Sequence, residues 1–306
     1  MTQLIKENRI TVESDRILPF TRAVAWALIP FLLAAFIYFY FGASQGREWF
    51  SGEKLGPLSA AFIIAGYLSA AYFLLRVGLG PRRHQVHLGA GYLASSSYTA
   101  QGSAQRWHAV HAGFPPAILL LLSSFLAVMS QSGAFDSNSV SYLIWMGLAL
   151  VGAVLLFAAW LINRRRDPRQ ADFGERLVPN GIRVLAAIIG GLLVVFSAAA
   201  WIWPAAMTAV WPWRLTLLGA KLIAGWYAAL GVGLLSLAAD RRWSSWLIPL
   251  QSAAISFVLL LLALLRYQDN LSSSGLVNWT MISILMVLAG VIVLALFMRV
   301  QTKVSG

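Results

Sequence analysis

Eight stretches of this chain are apolar for the length of a bilayer crossing, and nothing else in the sequence constrains the fold as strongly. They run approximately over 19–41, 57–77, 112–130, 140–163, 182–203, 215–238, 245–265 and 277–299. A helix rises about 1.5 Å per residue, so about 20 apolar residues cross the hydrocarbon layer. Lipid offers the backbone no hydrogen-bond partner, so such segments must be helical. The third is the weakest, because it is short and Pro115-Pro116 interrupts its start. The sequence therefore predicts an all-α, polytopic transmembrane helix bundle of eight spans, forming one integral membrane domain over 1–306. Composition agrees. The chain is 59% hydrophobic and 11% charged, against about 45–50% and about 25% in soluble domains. A soluble enzyme, a disordered chain and a collagen-like chain are excluded. The charged leader from Met1 to about Leu18 is too long for a cleavable signal, so the first span is expected to stay as an anchor.

Charge sets the expected orientation. Of the 23 Lys and Arg, 18 fall in the tails and in alternate loops, four (Arg47, Lys54, Arg214, Arg266) fall in the other loops, and Lys221 lies inside a span. Short loops rich in Lys and Arg stay in the cytoplasm. Strict alternation then requires an even number of spans and predicts both termini in the cytoplasm. It predicts a multi-pass protein of a cytoplasmic (inner) membrane. It also accounts for the net charge of +12 without nucleic acid as a partner. Two long loops, 78–111 and 164–181, interrupt the pattern, and the second splits the chain into two four-span halves. The halves show no repeat, which leaves an inverted-repeat transporter without support.

Chemistry-bearing residues are sparse. There is no cysteine, which removes disulfides, thiolate metal sites and Cys nucleophiles. All 11 acidic residues fall outside the spans. Ion-coupled carriers usually need an intramembrane carboxylate, and an intramembrane enzyme would need an acid–base pair within the spans. No histidine is deep enough for paired axial haem ligation. The four histidines, His84, His87, His108 and His111, come from two copies of R-x-H-x-V-H-x-G. Pairs at i and i+3 share a helix face and suit Zn, Cu or Ni. No carboxylate is expected nearby to orient the rings. The ordinary reading is a membrane-surface segment meeting lipid phosphates, so no metal site is assigned and no cofactor is implied. Residues 42–46 match G-x-S-x-G, but every His lies on the other side of the membrane, so this is a turn.

Lys221 admits two readings: a side chain snorkelling to the outer headgroups, or a cation meeting an anion or carbonyl in a cavity. Lys221, Gly225, Ala229 and Gly233 form one i+4 ridge, with Ala220, Ala224 and Ala228 beside it. Small-residue ridges let another helix approach closely, so Lys221 is expected to face protein. Trp49, Trp201, Trp203, Trp211, Trp213 and Trp279 fall at the outer boundary, and Trp107, Trp160, Trp243 and Trp246 at the inner one. Indoles prefer that depth, and interface anchoring accounts for most of them. Trp211, Trp213, Arg214 and Lys221 are expected to cluster at the outer end of the sixth span. There they would hold a lipid headgroup, or a carboxylate such as Asp136 or Asp269, or simply anchor the helix.

Several stretches carry a resemblance. Trp211-Pro212-Trp213-Arg214-Leu215-Thr216, with Lys221 and Gly225-Trp226 beyond, is similar to a W-P-W-x-L-T-P-L-T-A-R-x-x-G-A-W segment of uncharacterised bacterial polytopic membrane proteins. Asp240-Arg241-Arg242-Trp243-Ser244-Ser245-Trp246, Pro19-Phe20-Thr21-Arg22-Ala23 and Trp107-His108-Ala109-Val110 resemble other parts of the same proteins. The resemblance spans roughly 17–250 and departs at Lys221, where Arg is expected, and at Leu217-Leu218-Gly219. It implies a bacterial membrane protein and carries no catalytic or ligand residue.

The expected function is that of a non-enzymatic structural, binding or accessory subunit. Its partners would be the lipid bilayer and another membrane protein or a second copy. The alternative is a carrier or channel for a small or lipidic solute, with a cavity lined by Tyr67, Tyr72, Thr216 or Lys221.

Overall fold

The computed structural model describes residues 15, 17–42, 56–79, 107–134, 140–167, 175–271 and 276–300. Nine α-helices run through the described residues: α1 (Pro19–Gly42), α2 (Pro57–Leu79), α3 (Phe114–Met129), α4 (Val140–Asn163), α5 (Asn180–Ile202), α6 (Pro204–Val210), α7 (Leu217–Ala239), α8 (Trp243–Arg266) and α9 (Leu276–Val300). All but α6 are long and apolar enough to cross a membrane, α3 together with the 3₁₀ turn from His111 that leads into it. Each of those eight falls on one predicted span, with ends shifted by at most two residues. The short α6 was not foreseen. It opens at Pro204, which a helix tolerates at its first position because that N–H has no intrahelical partner. The same logic rescues the weak third span. Pro115-Pro116 falls in the first turn of α3, after two 3₁₀ turns at Trp107–Ala109 and His111–Gly113. At α7 the start is set by Thr216, whose Oγ1 accepts from the Gly219 N–H at 3.0 Å.

Small residues decide the closest crossings. A Cβ built on Gly190 of α5 would stand 2.8 Å from the Gly231 carbonyl oxygen of α7, and the reverse is equally true. On another side of α7, the predicted ridge is covered by α3 of the same chain. Lys221 meets Ser130, Gly225 abuts Ser123 and Gly233 abuts Pro116, an antiparallel register that spans both helices. Without a hydrophobic driving force between helices in lipid, this close contact is what holds them. The neighbouring alanine ridge is also used, since Ser197 Oγ of α5 donates to the Ala224 carbonyl at 2.7 Å. In contrast, α9 leans chiefly on α8.

The helix ends predicted to share a face do share it. The starts of α1, α3, α5 and α8 and the ends of α4, α7 and α9 are joined by polar contacts. We call this the arginine-rich face. Asn163 Oδ1 accepts from Thr21 Oγ1 and from the Leu18 N–H, Val178 N donates to the Arg241 carbonyl, and Arg176 donates to the Met298 carbonyl. On the opposite face an isolated bridge ties Trp213 to Leu271.

The tryptophan assignment needs correction. Trp107, Trp246 and Trp213 lie near the boundaries but are buried inside the protein. Two of their indoles are satisfied internally: Trp246 Nε1 donates to the Asp240 carbonyl and Trp213 Nε1 to Ser59 Oγ. Trp203, by contrast, is largely exposed.

Candidate functional site

The densest polar chemistry among the described residues lies on the arginine-rich face. Arg242, between α7 and α8, is gripped by two carboxylates. Its Nη1 and Nη2 donate to Asp167 Oδ1 and Oδ2 at 2.8 and 2.9 Å, and Nη2 also donates to Asp240 Oδ2 at 2.7 Å. Asp240 takes further hydrogen bonds from the Arg242 N–H and from Ser245 Oγ. Burial alone would raise the Asp240 carboxyl. The hydrogen bonds and charge of Arg242, with the Ser245 hydroxyl, hold it below the ordinary carboxylate value. Burial opposes the Arg242 charge, but the two carboxylates overcome it and push that group further up. The planar guanidinium suits this role because its fork can serve two acids at once.

The second histidine pair adjoins this cluster. Asp15 pairs with His108 Nδ1 and also accepts from the His108 N–H at 3.1 Å. His111 Nδ1 donates to the His108 carbonyl at 2.8 Å, and its Nε2 stands 3.5 Å from Asp240 Oδ2. Both histidines therefore have a carboxylate beside them, contrary to the sequence reading. Asp15 lies 93 positions from His108 and could not be seen in a local window. His108 is buried as well, so it does not meet lipid phosphates. Among the described residues, no group of three His, Asp or Glu side chains is placed to hold a metal ion. His84, His87, residues 43–46 and Asp136 lie outside the described residues. What the network does is clamp: it ties the approach to α1 to the start of α3, and the junction of α7 and α8 to the end of α4.

At the opposite face the four predicted site residues divide. Trp211 and Trp213 pack edge to face at 5.3 Å and join an aromatic cluster with Phe62, Trp226 and Tyr227. Arg214 is exposed. Lys221 Nζ turns to α3 and donates to Ser130 Oγ at 2.8 Å. Asp269 is exposed, and no ion pair joins it to either cation among the described residues. The lining expected of a polar passage is likewise dispersed. Tyr72 OH donates to Gln251 Oε1, Thr216 caps α7, and Tyr67 borders a small void beside Ser124.

A larger crevice went unforeseen. It lies between α2, α3, α7 and α8, with a volume of about 130 Å³ and walls that are almost wholly apolar, including Phe73, Leu120, Trp226 and Leu234. Gly66, Gly113 and Gly233 stand in its lining, from three different helices or their approaches, and the Phe73 and Trp226 rings lie close against the first two. Glycines at these positions were visible in the sequence, but only the packing shows that they converge.

No protein-family model, no curated protein and no solved structure matches this chain.

Proposed function

We propose that this chain is a multi-pass protein of a bacterial cytoplasmic membrane, with both termini in the cytoplasm, acting as a non-enzymatic structural, binding or accessory subunit. The observation that carries this reading is the placement of α9. Its apolar window is 11% buried within the chain, against 61% for α2. Met286 and Val293 are among its most exposed residues. A spanning helix with so little packing of its own is free to pack against a helix of another subunit. The polar groups of the arginine-rich face are engaged in holding helices together, which fits a structural role. The 18-to-4 charge asymmetry supports the orientation.

The chain has no native cysteine, so Met286→Cys and Val293→Cys give clean crosslinking sites. Crosslinking in native membranes, followed by purification in mild detergent, is expected to trap a second membrane protein or a second copy. A strictly monomeric protein with no adduct at either position would overturn the subunit reading.

The crevice favours a second reading, carriage of a lipidic solute. Exchange of such a solute between liposomes, dependent on the protein and blocked by filling the crevice, would distinguish it.

A further inference from the structure

Two buried hydroxyls on α8 have no hydrogen-bond partner among the described residues. Ser252 and Ser256 are one helical turn apart on the same face, 7% and 2% exposed, and both line the crevice. A serine in a helix ordinarily satisfies itself by bonding back to the carbonyl four residues earlier. For Ser256 that carbonyl belongs to Ser252, and it already accepts from Ser69 Oγ of α2 at 2.7 Å. An unpaired hydroxyl in an apolar site carries a desolvation cost that a ligand would relieve. Counting from Trp243, the two lie ~14 and ~20 Å along the helix, near the middle of the bilayer.

We propose that this crevice binds a small ring compound bearing one or two oxygen atoms, of the phenol, hydroquinone or quinone class. Three observations select that chemistry. The volume of about 130 Å³ is close to that of an engineered apolar cavity of about 150 Å³ known to take benzene. The walls are aromatic and aliphatic, with Trp226 and Phe73 offering ring contacts. The Ser252 and Ser256 hydroxyls are unpaired and closed off as they stand, and a χ1 rotation that turns them into the crevice would let them bond to a partner that carries oxygen. A lipid acyl chain would fill the space and leave both hydroxyls bare. Water would satisfy the hydroxyls but finds little else to bond in so apolar a space, and apolar cavities stay dry. An oxygenated ring meets both requirements. This inference goes beyond the subunit reading and holds whether or not the chain has a protein partner.

The test uses the full-length protein in nanodiscs, with 4-fluorophenol and fluorobenzene as probes, read by fluorine NMR line broadening. The wild-type protein should bind 4-fluorophenol more tightly than fluorobenzene. The Ser252→Ala/Ser256→Ala double variant should weaken 4-fluorophenol about five- to tenfold, the loss of one to two ordinary hydrogen bonds. It should leave fluorobenzene unchanged. Ala253→Phe, which fills the crevice, should abolish binding of both. A second filling variant, Ala70→Leu on α2, guards against misfolding of the first. Equal affinity of the wild type and the serine variant for 4-fluorophenol would overturn the proposal. So would a wild-type protein that binds neither probe, or binding that survives both filling variants.

Discussion

Gly190 and Gly231 stand backbone to backbone, each with the space for its Cβ occupied by the other's carbonyl oxygen at 2.8 Å. No flexible side chain can move aside at that point. Gly231→Leu must therefore push α5 away from α7, and overpacking of this kind costs about 1–3 kcal/mol. We expect a lower unfolding temperature in detergent. Gly181→Ala provides the control, because nothing lies within 4 Å of a Cβ placed there. Equal losses for the two variants would refute the crossing.

Asp240→Asn should be costly and pH-dependent. Removing one carboxylate from a buried charge pair costs about 3–5 kcal/mol, although Asp167 remains on Arg242 and softens the loss. The folded carboxyl lies below its ordinary value, which is about 3.9 in an unfolded chain. Its contribution is thus complete above about pH 4 and disappears as pH falls through the lower folded value. Thermal melts should show a constant gap between wild type and variant from pH 7 to 5. The gap should close below about pH 4. A gap that persists unchanged into strong acid would mean that the pairing is not the cause.

Lys221→Met is expected to be mild. Among the described residues the ammonium donates to the Ser130 hydroxyl, and the side chain is only partly buried. A loss of about 0.5–1.5 kcal/mol fits one hydrogen bond, and Ser130→Ala should match it without adding to it. If Lys221→Met instead strips bound anionic lipid, seen by native mass spectrometry, then Lys221 is part of a headgroup site. Arg214→Gln should then do the same.

Orientation can be read with single cysteines. Ser132→Cys lies beyond the end of α3 and Arg165→Cys beyond the end of α4, both exposed and on opposite faces. A membrane-impermeant maleimide should label Ser132→Cys in intact cells and Arg165→Cys only after permeabilisation. The reverse pattern would invert the proposed topology.

The spans could be read from the sequence because lipid imposes a length and forbids unpaired backbone, and both demands are local. The tight ridge on α7 was readable for the same reason, since Gly225 and Gly233 repeat within one helix. The clamps were not. Asp15 and His108 are far apart in the chain, and neither looks unusual where it stands. Asp240 and Arg242, two residues apart at a helix junction, were visible but read only as topology. The crevice was hidden for a different reason: a void belongs to no residue, and its two serines are ordinary until the carbonyl of one is known to be taken.

The partners of the polar clasps on the arginine-rich face are made in a fixed order along the chain. A growing chain delivers its helices to the membrane in order. Asp15 is made early but waits 93 residues for His108, and Thr21 waits 142 residues for Asn163. The first four helices can then close as a unit. Arg242 next brings the α7–α8 junction onto Asp167, 75 residues behind it. Arg176 is the last to be served, because the Met298 carbonyl arrives 122 residues after it. The order of synthesis thus permits assembly in stages, because each group of helices has its fastening partners before the later helices are made.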